Sequence, residues 1–115
     1  MPKRGEIWFV DFDPTQGDEI AKRRPAAVIS SDAVGILALR IIVPLTEWKA
    51  RYAQQPWFVL IKATSLNGLS KDSAADAFQV KSVSTSRFRQ RLGMLTAQQL
   101  DDITAATALC IDYNP

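Results

Sequence analysis

Asp18, Glu19, Lys22, Arg23 and Arg24 fall within seven consecutive residues and lead into Pro25. A carboxylate can take up a proton. A guanidinium stays charged and can meet two oxygens of a carboxylate or phosphate at once. Acids and bases displayed on a loop between rigid strands are a common way to build an active site. The same residues can also form a solvated hairpin loop in which Glu19 and Arg24 are an ion pair. Asp11 and Asp13 make a second pair of interest, since alternate residues of an extended strand share a face. Two carboxylates at that spacing can bind magnesium but are not specific for it, and a structural turn role is preferred. Thr46 stands just beyond Pro44. Phe78 to Thr96 contains Lys81, Arg87, Arg89 and Arg91 and no acid. Such a segment suits a phosphate-facing surface, or equally a solvated edge strand. Trp48 and Tyr52 lie between Glu47 and Pro56. They can stack unpaired bases, or serve as a hydrophobic lid or dimer contact.

Composition removes whole classes of chemistry. The 115 residues include no histidine, so Ser-His-Asp and Cys-His nucleophilic sites and histidine zinc sites are excluded. Cys110 is the single cysteine, which rules out an internal disulfide and a cysteine metal cluster. Chemistry must come from carboxylates, Arg, Lys, Tyr or hydroxyls. The net charge of +2 does not by itself name a nucleic-acid partner. Glu6 and Asp11 interrupt any signal-peptide core, and Arg40 and Pro44 break the most apolar window, so a soluble cytoplasmic protein with no membrane segment is expected.

These residues need elements to hold them, and the length suits one domain spanning 1–115. Glu6 to Phe12 is rich in aromatic and β-branched residues and predicts a strand. Asp13 to Pro25 then reads as a long charged loop, and Ala26 to Ser31 as a second strand. Ser31 and Asp32 start a short helical turn that Gly35 ends. Leu37 to Val43 is a nearly continuous apolar strand, expected to be central, with Pro44 ending its pairing. Trp57 to Ala63 follows as a strand and Asn67-Gly68 as a turn. Ser73 to Phe78, Gln79 to Ser84 and Leu92 to Leu95 complete the strands. Thr96 and Gln99 form a capping box, and Leu100, Ile103, Thr107 and Cys110 make one apolar stripe on a terminal helix. The order predicts a mainly β (α+β) domain, a small antiparallel barrel with a C-terminal α-helix.

Three blocks, in order along nearly the whole chain, resemble the MazF/PemK toxins of type II toxin–antitoxin systems. The first is Arg4-Gly5-Glu6-Ile7-Trp8 with Asp13-Pro14, Gly17, Glu19 and Arg24-Pro25. The second is Val43-Pro44-Leu45-Thr46. The third is Gln79-Val80-Lys81-Ser82-Val83 with Arg87 and Leu92-Gly93-Met94-Leu95. The resemblance implies an SH3-like barrel, a homodimer and a small antitoxin partner. It also implies cleavage of single-stranded RNA without metal or other cofactor. It assigns the catalytic arginine to Arg24, the catalytic threonine to Thr46 and a loop glutamate to Glu19. Lys22, Arg23, Trp48, Lys49, Gln79, Lys81, Arg87 and Arg89 are then the expected RNA-binding residues. The Glu47 to Trp57 stretch is longer and more aromatic than in better-known members. RNA carries its own nucleophile, the 2′-hydroxyl. A protein cutting it by that route must align the backbone, move two protons and offset charge on the phosphorane. Arg24 suits charge stabilisation, Thr46 can position a phosphate oxygen, and Glu19 is the candidate base. Two other readings stay open. One is a CcdB-like gyrase inhibitor, which relies on a tryptophan-containing tail that Cys110 to Pro115 lacks. The other is an SH3-like binding module.

Overall fold

The computed structural model describes residues 1–12 and 22–114. Seven strands and one helix build it: β1 (Glu6–Phe12), β2 (Lys22–Val28), β3 (Leu39–Glu47), β4 (Phe58–Ile61), β5 (Ser73–Asp76), β6 (Lys81–Ser84), β7 (Phe88–Met94) and α1 (Ala97–Cys110). The strands pair antiparallel in the order β4-β5-β3-β2-β1-β7, with β6 alongside the first half of β3. This is the expected mainly β architecture with a C-terminal helix. Among the described residues the pairing order runs from β4 to β7 without a closing pair.

Local chemistry explains most elements. In β1, Ile7 and Val10 are fully buried, on opposite faces of the sheet. In α1, Thr96 Oγ1 accepts from the Gln99 amide (3.1 Å) and Gln99 Oε1 accepts from the Thr96 amide (2.9 Å), the capping box read from sequence. Ile103 and Ala106 are the buried part of its stripe. Ser31 caps a short 3-10 turn, Asp32–Val34, and Gly35 closes it.

Among the boundaries that differ from the sequence expectation, three bear on the candidate site. β2 begins at Lys22, four residues earlier than the Ala26 expected, because β1 pairs with it from Lys22 to Ala27: Phe12 with Lys22, Asp11 with Arg23 and Val10 with Arg24. Arg23 and Arg24 are therefore strand residues, not loop residues. β3 runs through Pro44 to Glu47 rather than ending there, since it exchanges one neighbour for another at that point. β7 begins at Phe88 and so includes Arg89 and Arg91, which pairing with β1 holds extended.

The sheet buries apolar residues on both faces. The larger core gathers Ile7, Ala27, Val43, Leu45, Ile61 and Leu95 with Ile103 of the helix. A smaller one joins Val10, Ala26, Val28, Ile42 and Val83, edged by Trp8, Phe12 and Phe88. Trp8 and Phe88 meet edge to face at 5.8 Å. Arg40, only 5% exposed, donates to four backbone carbonyls: Pro2 (2.9 Å), Leu37 (2.7 Å), Leu39 (2.8 Å) and Gly35 (3.3 Å). It ties the amino-terminal segment to the 35–39 connection. Arg4 adds a second tie, from its side chain to the Ile29 carbonyl and from its amide to Asp32.

Candidate active site

Two prolines decide where the sheet opens. The Ile29 amide donates to the Ile41 carbonyl (2.9 Å). Ladder partners alternate along an antiparallel strand, so the odd-numbered residues of β2 point their amides at β3. Ala27 is the next of these and Pro25 the one after. Proline has no N–H to give, and β2–β3 pairing stops at Ala26 opposite Pro44. By the same alternation Pro44 faces the other side of β3, where β6 gives way to β5: Ile42 pairs with Lys81, and Leu45 with Ala75. Each proline thus stands where a rung is absent. Continuing the β2–β3 register two residues past Ala26 and Pro44 sets Arg24 across from Thr46, on strands no longer bonded to each other.

A cleft of about 190 Å³ opens at this parting. Phe9, Pro25, Leu45, Leu69 and Leu92 form its apolar lining, and Thr46, Glu47, Ser70, Lys71 and Ser73 its polar one. Thr46 is half-buried, and its backbone is fixed by pairing with Ala74 of β5. Arg24 is exposed and held by pairing with Val10.

The far wall is the connection between β4 and β5. Asn67 is 1% exposed and organises it: Oδ1 accepts from the Thr64 and Leu69 amides (both 3.0 Å), and Nδ2 donates to the Lys62 carbonyl (2.8 Å). Gly68 has φ +70°, and a side chain on it would collide with the Leu92 carbonyl. One on Gly93 would collide with the Leu66 carbonyl. Both positions need glycine for that backbone-to-backbone contact. The wall is therefore rigid, and it carries Ser70 and Lys71 to the cleft. Lys71 Nζ pairs with Glu47 Oε1 at 3.4 Å.

Beside Arg24, three strands share a charge cluster. Asp11 on β1 pairs with Arg23 on β2 (2.9 Å) and Arg89 on β7 (2.6 Å), and its carbonyl accepts from Arg87 Nη1 (3.4 Å). The hydrogen bond from Arg89, followed by that from Arg23, holds the Asp11 carboxyl below the usual carboxylate range. The carboxylate that spacing offered to magnesium is thus engaged by two guanidiniums. Glu6 makes a comparable set. Burial acts to raise its pKa, but hydrogen bonds from Trp8 Nε1 (3.0 Å), the Lys3 amide (2.9 Å) and Arg91 (3.0 Å) outweigh it and hold Glu6 low. The Arg4-Gly5-Glu6-Ile7-Trp8 block is consequently structural.

The remaining expected residues are spread around this centre. Lys81 on β6 holds Nζ 5.0 Å from the Phe12 ring centroid. Lys49 is exposed and precedes a 3-10 turn, Ala50–Gln54. Trp48 meets Tyr52 edge to face at 5.9 Å. Tyr52, half-buried, stacks on Phe58 (3.9 Å) with the Arg51 guanidinium over its ring. Gln79 ends the 3-10 turn Ala77–Gln79, exposed, beside Phe78. Lys22 opens β2. Glu19 and Asp13 lie outside the described residues. Thr46 thus lines the cleft, Arg24 stands on β2 beyond the last β2–β3 pair and outside the cleft lining, and Arg23, Arg87 and Arg89 gather in one cluster beside Asp11. Sequence reasoning missed the cleft residues Glu47, Leu69, Ser70 and Lys71. Only the adjacency of Glu47 to Thr46 could have signalled one of them.

Residues 3–111 match the family described as PemK-like, MazF-like toxin of type II toxin–antitoxin system. The chain is 37% identical to Endoribonuclease MazF9 of Mycobacterium tuberculosis over 118 aligned residues, covering 97% of this chain and 98% of that one. The protein belongs to the PemK/MazF toxin family. Endoribonuclease MazF of Staphylococcus saprophyticus is 26% identical over 92% of the toxin and 88% of its own length. The MazE–MazF structure (Form-II) from Deinococcus radiodurans superposes with a TM-score of 0.80 at 25% identity, covering 98% of the toxin and 97% of that chain. A mycobacterial endoribonuclease in complex with its cognate antitoxin gives 0.77 at 20% identity, covering all of this chain and 99% of that one, which is a likeness of fold. Among the described residues no helix is long and apolar enough to cross a membrane.

Proposed function

We propose that the protein is the toxin of a type II toxin–antitoxin system, an endoribonuclease that cuts single-stranded RNA where β2 and β3 part. What supports this reading is that β2–β3 pairing ends at Ala26 opposite Pro44, a register that, carried two residues on, would set Arg24 opposite Thr46. The endoribonuclease relatives agree with it, and they favour it over gyrase inhibition or a passive binding module.

Arg24 offers a planar fork of donors to the non-bridging oxygens as charge builds on phosphorus. Thr46 Oγ1, on the half-buried end of β3, donates to a phosphate oxygen and holds the linkage for in-line attack by the 2′-hydroxyl. Glu19 is the proposed base for that hydroxyl. Arg23, Arg87 and Arg89, gathered beside Asp11, supply positive charge for flanking phosphates, joined by Lys22, Lys49 and Lys81. Trp48 and Gln79 are proposed contacts to unpaired nucleotides. A cognate antitoxin and a second copy of the chain are the proposed partners, and the cytoplasm the proposed compartment. No step calls for a metal.

The test is cleavage of an end-labelled single-stranded RNA. The expected products are a 2′,3′-cyclic phosphate and a free 5′-hydroxyl, formed with or without EDTA. One 2′-deoxy sugar immediately 5′ of the cut phosphate should abolish that cut and leave binding nearly intact. Unimpeded cutting of the deoxy-substituted RNA would assign the attack to water or a protein group.

A further inference from the structure

We propose that the cleft beside Thr46 is a subsite for a single nucleobase next to the cut phosphate, read by Glu47 and Lys71. This rests on the endoribonuclease reading. It goes further in naming a base, rather than a phosphate, as the occupant and in naming the two residues that select it.

The lining is the first reason. Phe9, Pro25, Leu45, Leu69 and Leu92 give the cleft an apolar interior, whereas a phosphate site calls for donors throughout. Its volume of about 190 Å³ suits one planar ring system and not a duplex. Rigidity is the second reason. Asn67 and the glycine contacts at Gly68 and Gly93 fix the far wall, while Thr46 and Glu47 are fixed by pairing with Ala74 and Ser73. A preformed slot loses little freedom when filled.

The rim provides the chemistry. Glu47 is an acceptor and Lys71 a donor, 3.4 Å apart at the mouth, with side chains 55% and 62% exposed. Exposed as it is, the pair contributes little to folding and can exchange partners. An acceptor beside a donor complements a base edge that presents an N–H next to a carbonyl. Uracil offers N3–H beside O4 and guanine offers N1–H beside O6. Glu47 would take the ring N–H while Lys71 donates to the carbonyl. Adenine and cytosine carry the two functions in exchanged positions, an amino donor where the carbonyl stands and a bare ring nitrogen in place of the N–H, so with the sugar-phosphate held both rim groups would face the wrong partner.

Nucleotide titration of the nitrogen-15-labelled full chain, followed by amide shifts, tests this without relying on cleavage. The ligands are the 5′-monophosphates of uridine, guanosine, adenosine and cytidine, with ribose 5-phosphate as the base-free control. Saturable shifts at Leu45, Leu69, Ser70 and Lys71 are expected with UMP or GMP. The preferred one should bind about tenfold tighter than ribose 5-phosphate, roughly the discrimination of one good polar pair. Glu47→Gln and Lys71→Met should each remove the preference among bases and leave the remaining spectrum in place. Equal binding of ribose 5-phosphate would make the cleft a phosphate site and overturn the proposal. So would preference for AMP or CMP, retained preference in both variants, or no shift at all. A parent protein that binds the nucleotide but cuts no RNA would overturn the catalytic reading and leave the subsite standing. One that cuts RNA with no base preference at these amides would do the reverse.

Discussion

Arg24 and Thr46 owe their places to backbone pairing and not to side-chain packing, so they can be altered without disturbing the cores. Arg24→Ala and Thr46→Val should each lower the cleavage rate by about 10²-fold or more, the cost of losing one donor to a charged transition state. Thermal midpoints should stay within about 4 °C of the parent, as for changes near 1 kcal/mol. A variant that cuts at the parent rate would remove its residue from the mechanism. Asp11 differs, because its two arginines hold its carboxyl low. A carboxyl lowered on folding stabilises the folded state above its unfolded pKa of about 4, and that contribution is lost as pH falls through the lower folded value. The difference in thermal midpoint between the parent and Asp11→Asn should therefore be steady near neutrality and shrink only below about pH 4. A difference that persists unchanged in stronger acid would show that the carboxylate's charge is not its cause. At neutral pH the Asn variant should also bind RNA more tightly, with a steeper salt dependence, since Arg23 and Arg89 are released to phosphates.

At the scale of elements, what could be read from sequence was whatever is decided locally. The α1 capping box needs only Thr96 and Gln99, and β1 announces itself through Ile7, Trp8, Phe9 and Val10. The first half of β2 was illegible because Lys22, Arg23 and Arg24 have the composition of a loop. They are extended because β1 lies beside them, and that partner is a non-local fact. Lys71 was illegible for a similar reason, since its position depends on Asn67 and on the Gly68 and Gly93 contacts with distant backbone. Arg24 and Thr46 were singled out by the family resemblance, next to and two beyond prolines that stand where the ladder is interrupted. Arg40 is a buried structural residue that no pattern singled out. Arg40→Met should keep the packing volume but leave the Pro2, Leu37, Leu39 and Gly35 carbonyls without their donor. Loss of about 3 kcal/mol is expected in urea unfolding, with amide exchange quickened first around residues 2–5 and 35–39. A loss below about 1 kcal/mol would mean that water replaces the guanidinium freely.

The whole molecule leaves apolar surface in water. Val34, Ile36, Leu37, Leu39 and Ile41 are each between 45% and 97% exposed, and they follow one another along the chain into β3. A run of that kind on a chain this small fits an isologous contact between copies. Sedimentation at micromolar concentration should give the mass of two chains, and Ile41→Lys should shift it toward one. A parent with the mass of one chain would remove this assignment. An Ile41→Lys dimer as tight as the parent would move the contact elsewhere.

Pro25 carries a consequence for how such a toxin can be silenced. Replacing it with alanine restores a backbone donor facing Leu45, so one more rung can form and draw the two strands together over the opening. The added bond contributes about 1 kcal/mol, and the freer unfolded chain offsets roughly 0.4–1 kcal/mol of that. The midpoint of Pro25→Ala should accordingly stay within about 4 °C of the parent. Its RNA cleavage should fall at least about tenfold as the slot narrows, and parent-like cleavage would show that the gap does not depend on the missing donor. Cells that survive the toxin through this change would hold an inactive protein as durable as the active one. Its remaining surface would be intact, and it would still occupy antitoxin. An escape mutation of this type does not simply remove the poison: it leaves behind a competitor for the antidote.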